Sequence, residues 1–276
     1  MKIPKKATKF LMIIVVLTAF LWVYLQIPSS PLRNQYSHLI QNLSQDFIEE
    51  RTPITPEDLL TLPEILQAYF TVNGYVGSQS VNLVVIHFRD VDFSMGGDQP
   101  DLKLNYTVHT FSQKPVRAAF IESSLYSIPF QGMDYTRDGQ TRSQGVFAKH
   151  ITVFDTGFDQ VDSAYLSECL LHPSLALQES ISFRQLDDLS VEATLRVNDT
   201  VTQGTFYFND QHQMIRFVDE QRYSASTDSY EKWSAVPSEY QWVEGIRRPT
   251  RFQAVWHYPD GDLIYFDGRH MEVEYR

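Results

Sequence analysis

The residues best suited to chemistry lie near the C-terminus. His257-Tyr-Pro-Asp260-Gly-Asp262 combines an imidazole with two carboxylates around a turn, and His270 follows on the next strand. Imidazole and carboxylate are the groups of general acid–base catalysis and of divalent metal binding. A hairpin could bring His257 near His270, but a metal site needs at least three converging ligands. An exposed Asp-Gly turn flanked by strand histidines accounts equally for the pattern. Asp187-Asp188, and Asp98 and Asp101 around Pro100, read as solvated turns.

A second constellation is apolar. Phe206 and Phe208 share one face of a strand. Phe252, Ala254, Trp256 and Tyr258 share one face of another, and Trp233 and Trp242 lie near the segment between them. Period-two spacing puts such residues on one side of a sheet. There they either fill a core or line a cavity, if the sheet is too wide for its own side chains to fill. Phe206, Phe208, Phe252, Trp256 and Tyr258 are therefore the candidate ligand-binding residues. The chain contains no nucleophile elbow, Walker loop, dinucleotide fingerprint or His-Glu-x-x-His helix. The expectation is a protein that is not an enzyme, with no catalytic residue, no metal and no cofactor.

The elements that must position these residues are mostly strands. Period-two patterning runs through 81–93, 102–111, 116–126, 133–137, 145–154, 191–197, 202–208, 214–223, 240–243, 251–258 and 263–275, broken by turn residues such as Asp138-Gly139 and Asn209-Asp210. Helical spacing appears in 32–50 (Leu32, Tyr36, Leu39, Leu43, Phe47), in 55–70, and in 162–171, where Asp162 and Ser163 can cap and Pro173 stops continuation. Helices placed before and between two blocks of strands predict a mainly β fold: a curled antiparallel sheet of about ten strands, a half-barrel with a few covering helices. The helix at 162–171 is expected over the concave side. The stripe in 32–50 is either a stalk or a helix that folds back on the domain, or else a coiled-coil seam.

The N-terminus sets the address. Residues 10–27 carry no charge. Roughly 18 apolar residues nearly span a bilayer core. Lys2, Lys5, Lys6 and Lys9 precede them, and the far end, Trp22-Val-Tyr-Leu-Gln-Ile27, is bulky, without a small-residue cleavage site. This predicts an uncleaved, single-pass signal anchor with the N-terminus cytoplasmic and the rest extracytoplasmic. The organisation is then a basic cytoplasmic tail (1–9), a transmembrane helix (10–27), a helical stalk or linker (28–60) and an extracytoplasmic β domain (61–276). Cys169 is the only cysteine, which excludes an intramolecular disulfide and lipoprotein processing. A net charge of −11 argues against nucleic acid as a partner.

Five stretches carry a family likeness. They are Leu62-Pro-Glu-Ile-Leu-Gln-Ala-Tyr-Phe70, the run from Asp162 to Leu177, and Phe206 to Phe217 followed by Tyr240-Gln-Trp-Val-Glu-Gly-Ile-Arg-Arg-Pro-Thr250 and Val255 to Asp262. Over most of 60–276 the chain resembles an uncharacterised family of bacterial membrane-anchored proteins, a domain of unknown function. The Asn-Asp turn, the Gly-Ile-x-x-Pro-Thr segment and the closing hairpin are also similar to the lipoprotein-localisation fold. That likeness implies a half-barrel with helices over its open side that binds acyl chains, and it supplies no catalytic residue. Those carriers diffuse, whereas this chain carries an anchor.

The leading expectation is a membrane protein that binds a lipid, a lipoprotein or another apolar ligand without catalysis. The alternative is a structural or partner-binding envelope protein that uses 32–50 as its contact. A weaker alternative is a hydrolase or metal enzyme centred on His257, Asp260, Asp262 and His270. The interior of the sheet discriminates: an accessible apolar cavity favours the first, a filled core the second.

Overall fold

The computed structural model describes residues 5–45, 51–97, 101–158, 161–224 and 226–276. Lys2, Phe47, Asp98 and Pro100 lie outside the described residues. Helix α1 (Lys5–Gln26) has 22 residues. With a rise of about 1.5 Å per residue, it is about 33 Å long. Its apolar side chains are exposed along their whole run, from Phe10 to Tyr24. It is long and apolar enough to cross a membrane.

Helix α2 (Pro31–Gln45) begins where expected. The Ser30 hydroxyl accepts the Arg33 N–H at 3.1 Å. Pro31, which has no N–H to satisfy, takes the first position. The apolar stripe is used within the chain: α2 folds back, and Leu32, Tyr36 and Leu43 are buried against the sheet, so it is neither a free stalk nor a coiled-coil seam. Further on, Thr55 and Asp58 cap each other and open a 3-10 turn, Glu57–Thr61. Helix α3 (Glu64–Val72) then buries Ile65, Leu66, Tyr69 and Phe70.

Two antiparallel meanders follow. The first contains β1 (Leu83–Phe93), β2 (Leu102–Phe111), β3 (Arg117–Leu125), β4 (Ile128–Arg137), β5 (Gln140–Phe147) and β6 (Ile151–Phe158). The second contains β7 (Ile181–Asp187), β8 (Ser190–Val197), β9 (Thr200–Phe208), β10 (Met214–Ser224), β11 (Ser229–Val243), β12 (Ile246–Tyr258), β13 (Gly261–Gly268) and β14 (Met271–Tyr275). Between them lie α4 (Ser163–Glu168), a 3-10 turn at Cys169–Leu171 and α5 (Pro173–Ala176). One sheet results, ordered β6-β5-β4-β3-β2-β1-β13-β12-β11-β10-β9-β8-β7, with β14 pairing the first half of β1.

The half-barrel class holds, but the described residues form fourteen strands where about ten were expected. The reason is local. Tyr126-Ser127 and Ala148-Lys149 make hairpin turns with both residues at positive φ, without the Gly or Asn that marks such turns in a sequence. The stretch 145–154 therefore divides between β5 and β6, 263–275 divides at Arg269-His270 into β13 and β14, and Ile181–Asp187, outside every expected run, forms β7.

Bulges in β1, β6, β10 and β13 bend the sheet. Elements far apart in the strand order then meet. Asn198 Nδ2 donates to Asp138 O at 2.9 Å, and the rings of Phe158 and Tyr223 lie 5.0 Å apart. The concave face packs on α3, α4 and α5 in one large core containing Tyr69, Phe70, Tyr75, Tyr165, Leu170, Phe206, Phe217 and Trp233. The opposite face of β3–β5 packs on α2 through Ala118, Phe120, Met133 and Val146.

Two histidines are built into this packing. Tyr36 Oη lies 2.7 Å from His109 Nδ1 beneath α2. His172 Nδ1 caps α5 by accepting the Ser174 N–H at 3.1 Å. That bond requires the accepting nitrogen to be unprotonated. Burial, reinforced at His109 by Arg276 and His87, lowers both imidazoles to about 4. The unfolded chain would protonate them near the ordinary value of about 6.5. Their contribution is therefore complete above that pH and is lost as pH falls toward 4, on the order of 2–3 kcal/mol each. The urea midpoint should fall between pH 7 and pH 4.5, and His109→Asn should flatten that dependence. A wild-type midpoint that does not move would contradict this account.

Candidate functional site

Phe206 and Phe208 lie deep under the helices. They are 0% and 2% exposed, with Phe206 4.7 Å from the Phe217 ring and Phe208 5.6 Å from Tyr69. Their surface is spent on the core, which α3 and α4 fill. Phe252, Trp256 and Tyr258 lie farther along the same concave face and stay half-buried. Trp256 stacks on Tyr258 and on Tyr265, each with centroids 6.1 Å apart, and Phe252 lies 6.3 Å from Phe88.

Between the filled core and the open end runs a charged layer that the sequence patterns did not reveal. Arg117 projects inward from β3 and meets Glu168 of α4 in a two-pronged contact, Nε at 3.0 Å and Nη2 at 2.8 Å from Oε1. Thr110 Oγ1 donates to the same carboxylate at 2.7 Å, and Tyr106 Oη accepts from Arg117 at 3.1 Å. The two charged residues are 5% and 6% exposed. At the other end of α4, Asp162 accepts the Ala164 N–H at 2.9 Å and pairs with Arg222 at 2.8 Å. The Arg222 guanidinium lies 4.2 Å from the Trp233 ring centroid and 5.2 Å from that of Trp256. Burial works against charge on Asp162, but Arg222 and Arg117 hold its carboxyl below the usual range. Burial raises Asp134 and Asp219 nearby. A trace was present in the sequence: Arg117 alternates with Ala119 and Ile121, and Glu168 interrupts an otherwise apolar helical stretch.

Beyond this layer an apolar band crosses the concave face strand by strand. Direct pairing sets Phe154 opposite Gly145, Gly145 opposite Gly132, Gly132 opposite Ile121, Ile121 opposite Tyr106 and Tyr106 opposite Phe88. The Phe154 ring occupies the space above Gly145, where a Cβ would come within 2.3 Å of it. In the next row Ile151, Phe147 and Phe130 are paired in turn. Leu125, Ile128, Phe130 and Phe147 remain half-buried and belong to none of the buried clusters, while Ile151 and Phe154 are 59% and 39% exposed. The concavities that stand out, about 510 Å³ beside Tyr135, Arg137, Arg142 and Phe158 and about 270 Å³ beside Asp90, Lys103 and Glu122, are open and polar-lined. Phe88, Tyr106 and Ile121 thus belong to the core, and the row from Leu125 to Ile151 with Phe154 is the open part of the band.

His257 lies on the opposite face. Its Nδ1 is 2.7 Å from Asp262 Oδ1 and its Nε2 is 2.8 Å from Ser234 Oγ. This is the hydrogen-bond order of a serine-hydrolase triad. Ser234, however, is 1% exposed in the middle of the ladder, flanked by Val218 and Val255. A nucleophile there has no room for an acyl group and no preorganised pair of N–H donors for an oxyanion. His270 is exposed and Asp260 lies in the β12–β13 turn. Among the described residues no group of three or more His, Cys, Asp and Glu side chains is placed to hold a metal. Cys169 is buried, and burial pushes its thiol well up, so it is an inert core residue.

A protein-family description matches residues 52–268, most of the chain. The chain belongs to the DUF6544 family, a family of unknown function. The matched region of this DUF6544 protein contains α3, the charged layer and all of the band, and leaves out α1 and α2. A LolA superfamily protein from Nitrosomonas europaea is similar to it in overall shape. That crystal structure gives a TM-score of 0.41 at 12% identity, covering 79% of this chain and 94% of that one. No curated protein matches the sequence.

Two outcomes follow from the site. Glu168→Ala strands Arg117 in the interior and should cost about 3–5 kcal/mol in urea unfolding, and replacing both partners by Leu and Met should restore most of it. A fluorophosphonate probe should leave Ser234 unlabelled in the folded protein. Stoichiometric labelling abolished by His257→Ala would restore the hydrolase reading.

Proposed function

We propose that this DUF6544 protein is a single-pass, membrane-anchored, extracytoplasmic binding protein without catalytic activity. Its ligand is a lipid or another apolar molecule lying along the open row of Leu125, Ile128, Phe130, Phe147 and Ile151, beside Phe154. The observation that carries the reading is the row of uncovered side chains Leu125, Ile128, Phe130, Phe147 and Ile151 on the concave face of a domain whose remaining concave surface is packed. An apolar stretch of this kind, continuous across several strands, commonly marks an interaction site. Trp256 and Tyr258 complete the open end, and Phe206 and Phe208 support it from within the core. The four N-terminal lysines orient the anchor with the domain outside.

The packed interior favours a second reading, a structural or partner-binding envelope protein. α2 then presents Asn34, Gln35, His38 and Gln41 on its exposed side. The two readings separate by binding of a spin-labelled fatty acid to the full chain in phosphatidylcholine nanodiscs. Phe130→Asp combined with Ile151→Asp should weaken binding at least about tenfold, equivalent to about 1.4 kcal/mol, with little change in melting temperature. Phe206→Ala, in contrast, should destabilise the fold by about 3–5 kcal/mol. Equal binding by wild type and the double variant would reject the band as a ligand site and leave the second reading.

A further inference from the structure

The carboxyl end of α1 is held by two turns of the sheet. Lys149 Nζ donates to Tyr24 O and Ile27 O, both at 2.6 Å, and to Ser29 O at 3.1 Å. Tyr24 O belongs to the last turn of α1, where the helix dipole favours a cation, and Ile27 O and Ser29 O follow just past its end. The same ammonium lies 4.6 Å from the Tyr24 ring centroid. Tyr24 Oη meets His150 Nε2 at 2.5 Å with the rings stacked, and Gln26 Nε2 donates to Ser127 O at 3.1 Å. The β3–β4 turn and the β5–β6 loop are thereby fixed at the level where α1 stops being apolar.

Among the exposed residues of these elements are three large apolar ones. Tyr126 is 91% exposed, Ile151 59% and Val153 59%. Tyr126, Ser127, Ala148 and Lys149 all have positive φ, at 52°, 63°, 49° and 68°. For residues with a Cβ that conformation costs roughly 1–2 kcal/mol each, and Gly would avoid it. Tyr126 and Lys149 are thus held at strained positions where their side chains are used outward and against the helix end. The net charge of −11 leaves little general attraction to anionic headgroups, so contact with lipid here would be made by apolar and aromatic insertion.

We propose that Tyr126, Ile151 and Val153 form a bilayer-docking surface that seats the domain on the membrane interface beside α1. The occupant is the interfacial zone of the lipid bilayer. This rests on the anchor reading above, and it places the open band, which shares Ile151 and ends at Phe154, at the lipid surface instead of out in solution.

The test uses the full chain in phosphatidylcholine nanodiscs, with a polarity-sensitive fluorophore on single cysteines introduced as Tyr126→Cys, Val153→Cys, Phe20→Cys or Asp210→Cys. Cys169 is buried and stays unlabelled in the folded chain. Labels at 126 and 153 should show blue-shifted emission and lose intensity to shallow nitroxide-bearing lipid. The label at 20 should respond to deep nitroxide, and the label at 210 to neither. A wet, unquenched 126 and 153 beside a quenched 20 would overturn the docking surface and leave the anchor standing. An unquenched 20 would overturn both.

Discussion

The buried pairing of Arg117 with Glu168 is the constraint around which the domain is arranged. A guanidinium and a carboxylate removed from water survive only with close, multiply bonded geometry. Here Thr110 also donates to the carboxylate and Tyr106 also accepts from the guanidinium. The pair links the centre of the first meander to α4 in the chain between the meanders. Asp162, at the other end of the same short helix, reaches Arg222 of the second meander. A helix as short as α4 has little intrinsic stability. Two ion pairs, one at each end, fix it inside the curl and hold the halves of the sheet at a defined separation.

That arrangement divides the concave face by use. On the helix side of the charged layer, Tyr165, Leu170, Phe206 and Phe217 meet side chains from α3, leaving a packed core. On the far side Phe130, Phe147 and Ile151 join none of the buried clusters among the described residues, and the apolar surface stays open. The facing glycines, Gly132 and Gly145, lower the floor between the zones, and Phe154 and Ile121 lie over them. The open surface and the carboxyl end of α1 fall on the same hairpins because Lys149 and Ser127 belong to the turns that bound β4, β5 and β6.

Much of the architecture was legible in the sequence. The period-two runs, the Asn-Asp and Asp-Gly turns and the Ser30-Pro31 cap reflect local physics: alternation, left-handed turn residues and an unpaired helix N-terminus. Two of the misses share a cause. Tyr126-Ser127 and Ala148-Lys149 turn the chain with residues chosen for contacts elsewhere, so the turns carried no local mark and two hairpins were merged or misplaced. The candidate site was legible in part. Trp256, Tyr258, Phe206 and Phe208 lie on one face, as alternation implies, but Phe206 and Phe208 lie beneath a helix, which periodicity cannot report. His257 and Asp262 were paired by the hairpin as expected, while Ser234, the third member, came from another strand.

By itself the sequence determined the apolar N-terminal segment and its lysine flank, the mainly antiparallel class, and which residues alternate toward one side, because each is a property of neighbouring residues along the chain. Only the tertiary structure decided which part of the concave face is filled, that Arg117 meets Glu168 across 51 positions, that α2 folds back, and that Lys149 closes the end of α1 at Tyr24, 125 positions away. These depend on how far the sheet curls, and the curl is the sum of bulges and twists along fourteen strands, which no local pattern records.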